Sequence, residues 1–416
     1  MVRDIYMVIG GSGFLGRHIV EMLVARGDSV CVFDIVQRYH DVPFYSGDLT
    51  DQNSVEEALR KSGTTCIIHT ASPPHGLQPP IYWKVNVEGT ETIIAAAVAN
   101  KVGKLVYTSS AGVVYDGNDL VNIDERLDYP EQPFDAYNET KAKAEEIVLK
   151  ANGEGGLLTV ALRPSGIFGP GDRQAMHGFT QVLKNKQTHW QIGDNTNLFD
   201  WTYVGNVARA HLLAADKLSN PDPDVHVKVA QRPLPSIELT TGSRVLPTSL
   251  ARPMGPAVDP DADAEKREAA FRNGGTVEER PIARSRFDQF SEKSLETAES
   301  DPLRVDGQAF FITNGEPLYF WDFARAVWFE MGDRTTKLWK LPAGVGLQLA
   351  TAAEWWSWLV GKEPTFTRYR VTYSCTSRWY NIEKARQVLG YEPEVSVLDG
   401  IKRMVDWYKK EQNISG

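Results

Sequence analysis

The chain has 416 residues, which exceeds one typical domain and favours two lobes around a shared cleft. Hydrophobic residues make up 42%, an ordinary share for a globular protein with a full core. The net charge of −9 and the lack of a basic tract argue against a nucleic-acid partner. The three cysteines are scattered, without a Cys-x-x-Cys pair, so we expect a reducing, cytosol-facing compartment and no metal site. A strand begins almost at the N-terminus, which predicts no signal peptide.

A glycine-rich turn follows the first predicted strand. The apolar run Ile5–Ile9 predicts a buried parallel strand, and residues 10–16 lead from it into a helix with apolar periodicity. Glycines let the backbone approach a pyrophosphate, which is attracted to the positive N-terminus of a helix. The spacing is Gly-x-x-Gly-x-x-Gly rather than the more familiar Gly-x-Gly-x-x-Gly. The sequence therefore predicts a dinucleotide site formed by Gly10, Gly13, Phe14, Leu15 and Gly16.

Acidic residues follow the next two predicted strands. Asp34 comes after the strand 29–33, about twenty residues past the glycines, where a carboxylate binds the ribose hydroxyls of a dinucleotide. It would repel the 2′-phosphate of NADP, so we expect NAD, although Arg38 nearby leaves NADP open. Asp48 and Leu49 follow the third strand and could hold the adenine edge. Asp48 could equally cap the helix that follows.

Small and polar residues border the expected path of the cofactor. The predicted fourth strand, 66–70, ends in Ala71 and Ser72, whose small size allows close passage of the cofactor. A long helix predicted over 81–102 carries Asn86. We assign these three residues to cofactor binding.

The candidate catalytic residues lie on the next two elements. The predicted strand Lys104–Thr108 leads to Ser109 and Ser110, and a hydroxyl at a strand end can orient a substrate oxygen. Ser110 is the preferred residue, with Ser109 as the alternative. Tyr137 and Lys141 are four residues apart on a predicted helix, so they lie on one face, one turn apart. A lysine ammonium beside a phenol lowers the tyrosine pKa, which gives the proton acceptor that alcohol oxidation needs.

The second half of the chain is predicted to form a smaller, substrate-binding lobe. Pro164 starts the crossing beside the cofactor, and residues 168–173 are interpreted as a loop over it. Prolines and then a charged run interrupt the later pattern, so we expect a flexible insert with no role in chemistry. The predicted division is 1–163 for the dinucleotide domain, 164–230 and 306–416 for the substrate lobe, and 231–305 for the insert.

An aromatic helix is predicted over Ala343–Val360. At 18 residues with an internal glutamate, it is marginal for a membrane span, which takes about 20 apolar residues. Trp355, Trp356 and Trp358 suggest an anchor at a membrane interface. The alternative is an ordinary amphipathic helix packed on the small lobe. Its predicted apolar face consists of Val345, Leu349, Ala352, Trp356 and Leu359.

These motifs together carry a family resemblance. The chain resembles the extended short-chain dehydrogenases/reductases and, within them, the 3β-hydroxysteroid dehydrogenase family. Residues 199–211 and 315–322 look like the branch that acts on sterols, and the resemblance leaves out only about 231–305. The other matching segments are residues 10–16, Asp34, Asp48, Leu49, 69–72, 85–90, 107–110, 137–141 and 162–171.

The resemblance carries expectations for fold, chemistry and location. It implies a Rossmann-like α/β fold, with a doubly wound parallel sheet and a smaller C-terminal lobe, and a triad of Ser110, Tyr137 and Lys141. It implies oxidation of the 3β-hydroxyl of a 4α-carboxysterol with NAD(P)⁺ and loss of the carboxylate as CO₂. The implied location is the cytosolic face of the endoplasmic reticulum membrane, by peripheral association. Contacts with other enzymes of C4 demethylation and a homodimer stay open. His75 and Arg173 are the basic candidates for binding the carboxylate.

Three alternative functions share some of these motifs. A nucleotide-sugar epimerase or dehydratase would keep every N-terminal motif, but a dehydratase commonly has an acidic residue beside the Ser or Thr, and here Ala111 follows Ser110. The many Trp and Phe residues of the small lobe suit a sterol better than a sugar diphosphate. A non-catalytic NAD-binding module would be expected to lack Tyr137 or Lys141. An enzyme of secondary triterpenoid metabolism would keep all the motifs.

Overall fold

The computed structural model describes residues 3–74, 76–218, 304–361 and 366–412. The predicted insert 231–305 therefore lies outside the described residues, except at its last two positions. The expectation that it is flexible and dispensable stays a prediction.

Seven parallel strands form the main sheet. They are β1 (Ile5–Ile9), β2 (Ser29–Asp34), β3 (Phe44–Ser46), β4 (Cys66–His69), β5 (Lys104–Thr108), β7 (Leu158–Pro164) and β12 (Gln308–Ile312). Their order is β3–β2–β1–β4–β5–β7–β12. The direction of the order reverses between β1 and β4, and ligands of doubly wound sheets bind at such a switch point, outside the carboxyl ends of the strands. The predicted Rossmann-like α/β fold is confirmed.

Helices cover both faces of this sheet because its strands are apolar on both sides. In β1, Val8 belongs to the core under one layer of helices, and Met7 and Ile9 belong to the core under the other. The first layer contains α1 (Phe14–Arg26) and α7 (Val204–Lys217). The second layer contains α2 (Gln52–Ser62), α4 (Gly89–Ala99) and α5 (Ala136–Lys150).

The helix predicted over 81–102 has a different structure. It begins as α3 (Pro79–Tyr82), widens into a π-helical segment at Trp83–Glu88 and continues as α4. Such π-helical turns are rare and occur frequently at functional sites. Asn86 lies in this widened turn with 0% exposure, so its side chain faces the protein interior.

Smaller sheets and further helices form the rest of the described chain. One sheet has four strands in the order β13–β10–β15–β6, namely Leu318–Tyr319, Leu198–Phe199, Arg378–Tyr380 and Leu120–Ile123. Two further pairs are β8 (Ile167–Phe168) with β11 (Thr202–Tyr203), and β9 (Trp190–Ile192) with β14 (Trp339–Leu341). The helices are α6 (Arg173–Lys184), α8 (Phe320–Glu330), α9 (Ala343–Val360), α10 (Arg368–Cys375) and α11 (Val397–Glu411), with a π-helical turn at Ala385–Leu389.

Two elements lie on the other side of the predicted domain boundary. β12 pairs with β7 and completes the main sheet, and α7 packs against α1. Both come after residue 163, so the chain crosses between the two halves more than once. The apolar residues 309–312 are buried in this strand, but an apolar run of this kind does not specify which sheet a strand joins.

Helix α9 has the bounds that the sequence predicts, and two different sides. Gly346 and Ala350 pack inward, and Ala350 is completely buried. Glu354 accepts hydrogen bonds from the backbone and guanidinium of Arg368 at the start of α10. The predicted apolar face is left exposed, with Val345, Leu349, Trp356 and Leu359 at 45–63% exposure. Within the described segments, no helix is both long and apolar enough to cross a bilayer.

Candidate active site

The glycine turn at the end of β1 is held in a shape that only small residues allow. Gly10 has φ +84°, and a Cβ there would lie 2.7 Å from the backbone nitrogen of Ala71. A Cβ at Gly16 would lie 2.2 Å from the carbonyl oxygen of Gly10. Gly13 is the N-cap of α1 and has no capping side chain. The turn therefore presents bare backbone at a helix N-terminus, which suits a pyrophosphate.

The residues that follow the turn fix its position. Leu15 is 9% exposed and belongs to the core. Phe14 packs beside Gly171, so the loop after β8 reaches the glycine turn. Pro164 ends β7, pairs with Ile312 of β12 and is buried. The structure thus gathers Phe14, Ala71 and the loop at 171 around the glycine turn.

Asp34 lies where the sequence predicts, at the end of β2. Its carboxylate accepts a hydrogen bond from the backbone nitrogen of Ser12 over 3.0 Å and another from Ile35 over 2.8 Å. These bonds hold a negative charge against the glycine turn. A carboxylate in this place fits the ribose hydroxyls of a dinucleotide.

Asp48 and Leu49 have local structural partners. Asp48 accepts bonds from the backbone and hydroxyl of Thr50, which lower the pKa of Asp48. The alternative role of helix cap is wrong for Asp48, because Asp51 is the N-cap of α2 and accepts from Asn53. Leu49 is 8% exposed and packs against the position of Gly89, where a Cβ would clash with it at 1.8 Å.

Tyr137 and Lys141 lie on one face of α5, as predicted. Asp135 caps this helix by accepting from Asn138 over 2.7 Å. Lys141 is 2% exposed, donates to the carbonyl oxygen of Thr108 at the end of β5, and has its ammonium 4.3 Å from the ring centroid of Tyr107. The lysine is therefore fixed between the helix and the strand that leads to the candidate serines.

Burial is the largest influence on the pKa of Tyr137 and on the pKa of Lys141. Burial raises the pKa of Tyr137 to about 12, with hydrogen bonds from Ser72 and Ser110 acting in the other direction. Burial also lowers the pKa of Lys141 to about 7, which the charge of Glu145 opposes. The expectation that Lys141 lowers the pKa of Tyr137 is not met here, because the loss of hydration outweighs other influences on the phenol.

The two serines after β5 have different surroundings. Ser110 hydrogen-bonds to the Tyr137 hydroxyl, and its Oγ also accepts from the backbone nitrogen of Gly112 over 3.0 Å. Ser109 is 3% exposed and faces the carboxylate of Glu145. The geometry therefore favours Ser110 over Ser109 as the partner of Tyr137.

A second hydroxyl reaches Tyr137 from the end of β4. Ser72, which we expected only to line the cofactor path, hydrogen-bonds to the Tyr137 hydroxyl and donates to Oδ1 of Asn86 over 2.9 Å. Asn86 Nδ2 donates to the hydroxyl of Thr140 over 3.1 Å, and Thr140 donates to the carbonyl oxygens of Ala136 and Tyr137. Asn86 thus uses both ends of its amide inside the protein.

These bonds define a direction for the hydrogen atoms. Ser72 donates its hydroxyl hydrogen to Asn86 over 2.9 Å, whereas Ser110 accepts from Gly112 and keeps its own hydrogen for another acceptor. A donor to the phenol oxygen favours the phenolate, and Ser110 is the serine whose hydrogen is free for that bond. The phenol oxygen therefore has serine hydroxyls on two sides.

Buried groups behind the site complete its electrostatics, and they are not among the residues predicted from the sequence. Glu145 is 0% exposed and pairs with Arg163 of β7. Burial lowers the pKa of His69 to about 3 and that of His211 to about 4, so both rings are neutral behind Lys141. The spacing Tyr137, Lys141, Glu145 repeats every four residues, and this signal could have identified the glutamate.

The two predicted carboxylate-binding residues gain no support. Arg173 begins α6, is 71% exposed and pairs with Glu411 at 2.9 Å. His75 lies outside the described residues.

The switch point of the parallel sheet, the glycine turn, and a tyrosine and lysine on one helix face define a dehydrogenase of the extended short-chain type. The chain belongs to the 3-beta hydroxysteroid dehydrogenase/isomerase family, whose model matches residues 7–231. It is an oxidoreductase, and the family and fold imply a nicotinamide cofactor.

Similar proteins agree with this assignment. The chain is 40% identical to the decarboxylating sterol-4-alpha-carboxylate 3-dehydrogenase of Schizosaccharomyces pombe, over 98% of both chains. It is 32% identical to the human protein of that name, over 97% of this chain and 87% of the other. Among solved structures, it resembles the UDP-glucose 4-epimerase of Thermus thermophilus in complex with NAD, with a TM-score of 0.59 and 19% identity over 97% of this chain and 98% of the other. The last likeness shows the fold alone.

Proposed function

We propose that this enzyme oxidises the 3β-hydroxyl of a 4α-carboxysterol to a ketone, after which the carboxylate leaves as CO₂. The observation that carries the proposal is the similarity, over nearly the whole chain, to relatives named for this reaction, with Ser110, Tyr137 and Lys141 in one connected site.

The residues of the site have separate tasks in the oxidation step. A bound nicotinamide supplies the acceptor for the C3 hydride. In its ionised form, Tyr137 takes the proton of the substrate hydroxyl on its phenolate oxygen, and Ser110 positions the substrate oxygen. Ser72 is held by its hydrogen bond to Asn86, and its contact with the Tyr137 hydroxyl helps to keep the phenol in place. Protonated Lys141, one helical turn from Tyr137, offsets part of the cost that burial imposes on the phenolate, and burial still dominates the pKa of Tyr137.

Loss of the carboxylate needs no further catalytic group. Once C3 is a ketone, the C4 substituent is a β-keto acid. When the bond from C4 to the carboxylate carbon breaks, its electron pair moves into an enolate on the C3 oxygen, which then takes up a proton at C4. Decarboxylation therefore follows hydride transfer and cannot precede it.

NAD is the cofactor that the site fits best. Asp34 places a carboxylate beside the glycine turn, where the 2′-phosphate of NADP would be repelled. Gly10, Gly13 and Gly16 leave the backbone open to the pyrophosphate. We assign the substrate side to the rest of the described chain after residue 163, leaving out the main sheet and α7.

Helix α9 supports a peripheral attachment to a membrane. Its exposed face carries Trp355 and Trp356 at 62% and 63% exposure, and tryptophan prefers the interface between water and lipid. We assign the cytosolic face of the endoplasmic reticulum as the location, where an apolar sterol substrate would be available. Contacts with other C4-demethylation enzymes and a homodimer are compatible with this arrangement.

Substrate-dependent reduction of NAD⁺ tests the function. A 4α-carboxysterol labelled with ¹⁴C in the carboxyl group should give labelled CO₂ only with NAD⁺ present, in step with NADH formation. UDP-glucose should give no reaction. Release of label without the cofactor, or a ketone that keeps its carboxylate, would refute the mechanism.

The Tyr137→Phe variant tests the site. It should lose about 10²- to 10⁴-fold in rate, because the proton acceptor is gone, while NAD binding stays near normal. Tyr39→Phe, which changes an exposed tyrosine, is the matched control and should keep full activity. Turnover above about a tenth of wild type in Tyr137→Phe would contradict the assignment.

A further inference from the structure

Arg378 is a buried cation with no acidic partner among the residues the structure describes. It begins β15, is 6% exposed, and takes part in no ion pair within that part of the chain. One guanidinium nitrogen donates to the carbonyl oxygen of Tyr373 over 3.0 Å, and its Nε makes no hydrogen bond. Asp200 on the neighbouring strand end is directed elsewhere, to the backbone nitrogen of Tyr380. A buried charge of this kind costs free energy unless a partner compensates it.

Aromatic rings surround the guanidinium. Its central carbon lies 3.6 Å from the ring centroid of Tyr373, 4.6 Å from that of Phe199 and 4.7 Å from that of Tyr115. Cation–π contacts stabilise the charge through its faces. They provide no acceptor for the N–H groups at its edge, which is where a carboxylate binds arginine.

The rings continue away from Arg378 in two rows. Tyr373 stacks on Tyr369 at 5.8 Å, and Tyr369 lies 5.0 Å from Phe134, which directly precedes the cap of α5. A second row runs from Phe199 to Trp201 and Phe320, at 4.7 and 5.7 Å. Tyr369 is 39% exposed, so the first row begins at the surface. Two aromatic rows that meet at a cation match a flat apolar skeleton that carries one anionic group.

Arg378 is also connected to the turn that carries Ser110. Tyr115, whose ring lies against the guanidinium, is the C-cap of the 3₁₀ turn that Ser110 begins. Tyr380, two residues after Arg378, donates to the carbonyl oxygen of Ala111 over 3.5 Å. The neighbours of the cation, and not the cation itself, contact the turn that begins at Ser110.

We propose that Arg378 binds the carboxylate of the substrate, with the two aromatic rows holding its ring skeleton. This inference rests on the proposed function and names the group that selects for the carboxylated substrate. It replaces Arg173, whose charge is exposed and already paired with Glu411.

The aromatic surroundings suit a carboxylate that must later leave. The rings stabilise the guanidinium whether or not an anion is bound. An arginine whose only partner is the carboxylate would therefore bind that carboxylate more tightly than Arg378 does. Tight binding of the ground-state carboxylate would oppose decarboxylation. The arrangement recognises the anion and still permits its loss as CO₂.

Two substrates on the same protein preparation test this role. One is the 4α-carboxysterol, and the other is a 3β-hydroxysterol of the same skeleton with a 4α-methyl group. Arg378→Met should lower kcat/KM for the carboxysterol by about 10- to 100-fold, chiefly through KM, because a charged hydrogen bond is lost. Oxidation of the methyl sterol should stay within about threefold of wild type, since methionine keeps much of the packing. Because both rates come from one preparation, loss of folded protein cancels in their ratio.

Two further variants sharpen the test. Arg378→Lys should recover part of the carboxysterol KM, because it restores the charge without the planar fork. Arg173→Met should leave both substrates unchanged. An equal loss on both substrates in Arg378→Met, or no loss on either, would overturn the inference. A wild-type enzyme that oxidises only the methyl sterol would overturn the proposed function first, and this inference with it.

Discussion

Arg163 and Glu145 form a bidentate ion pair inside the protein. Nε of Arg163 lies 3.0 and 3.1 Å from the two carboxylate oxygens, and the two side chains are 5% and 0% exposed. Glu145 is on α5, two turns after Tyr137, and Arg163 is in β7. Tyr129 also donates to this carboxylate. The pair therefore attaches the helix that carries the catalytic residues to the main sheet.

Removal of Glu145 should destabilise the protein strongly. Glu145→Ala leaves the guanidinium of Arg163 buried without its partner, which typically costs about 3–5 kcal/mol. The free energy of unfolding from urea titration measures the loss. Glu146→Ala, one residue along, breaks only surface pairs with Lys143 and Lys150 and should cost under about 1 kcal/mol. Equal effects of the two changes would contradict the structural role of the pair.

Substitutions of Ser110 and Ser109 should have different effects on catalysis. Ser110→Ala removes a donor to the Tyr137 phenol and should lower kcat by about tenfold or more, with little change in the free energy of unfolding. Ser109→Ala removes a buried hydroxyl that has no hydrogen-bond partner among the described residues, so kcat and the free energy of unfolding should both stay nearly unchanged. Steady-state kinetics and urea titration on both variants are the measurements. The reverse pattern would identify Ser109 as the catalytic serine.

Lys141 should give the protein a stability that depends on pH. Its pKa is lowered to about 7 by burial, against about 10.4 in an unfolded chain. Between these values the unfolded chain binds more protons, so the contribution of Lys141 to the free energy of unfolding rises with pH. The stability of wild type relative to Lys141→Met should therefore increase from about pH 7 to about pH 9.5. Lys143→Met, at an exposed position of α5, should show no such trend. A pH-independent difference would mean that Lys141 is not desolvated.

Asp34 should set the choice of cofactor. Wild type should prefer NAD⁺, and Asp34→Ser should shift the ratio of kcat/KM values toward NADP⁺ by about tenfold, because the repulsion of the 2′-phosphate disappears. Asp34→Asn is the matched control, since it keeps an acceptor for the Ser12 nitrogen but loses the charge. If charge is the cause, both variants should shift the ratio. A wild-type preference for NADP⁺ would contradict the interpretation of Asp34.

The exposed tryptophans of α9 should hold the enzyme on membranes. Trp355 and Trp356 changed together to Ser should move the protein to the soluble fraction of a cell lysate, because the helix loses its interfacial anchors. Trp83→Ser removes another exposed tryptophan, at 42% exposure on a different element, and should leave the distribution unchanged. Carbonate washing should strip part of the wild type. Unchanged sedimentation of the double variant would exclude this helix as the anchor.

The sequence predicts the dinucleotide half well because its signals are local. A glycine turn between a strand and a helix, or Tyr137 and Lys141 one turn apart, is encoded within a few neighbouring residues. Helix α9 was predicted with its observed bounds for the same reason. The pKa of Tyr137 could not be predicted in this way, since it depends on how many distant segments close over the ring.

The contacts between segments that are distant in the chain could not be predicted from the sequence. Serine is a common turn residue, so the sequence gives no sign that the hydroxyl of Ser72 contacts Tyr137. That contact is visible only in the folded structure. Arg378 lies in a three-residue strand, which is too short to give an alternating pattern. Its aromatic neighbours come from three separate parts of the chain.

The position of β12 bears on how the chain is synthesised. Residues 308–312 pair with 160–164, so the outer side of β7 has no neighbour until the ribosome has added almost 150 further residues. During that interval an apolar strand presents unpaired amide and carbonyl groups, the feature that promotes pairing between different chains. A nascent or truncated product that stops before residue 308 would carry the glycine turn, Tyr137 and Lys141 on a sheet with an open edge. Expression of the N-terminal half alone is therefore a poor route to a cofactor-binding fragment.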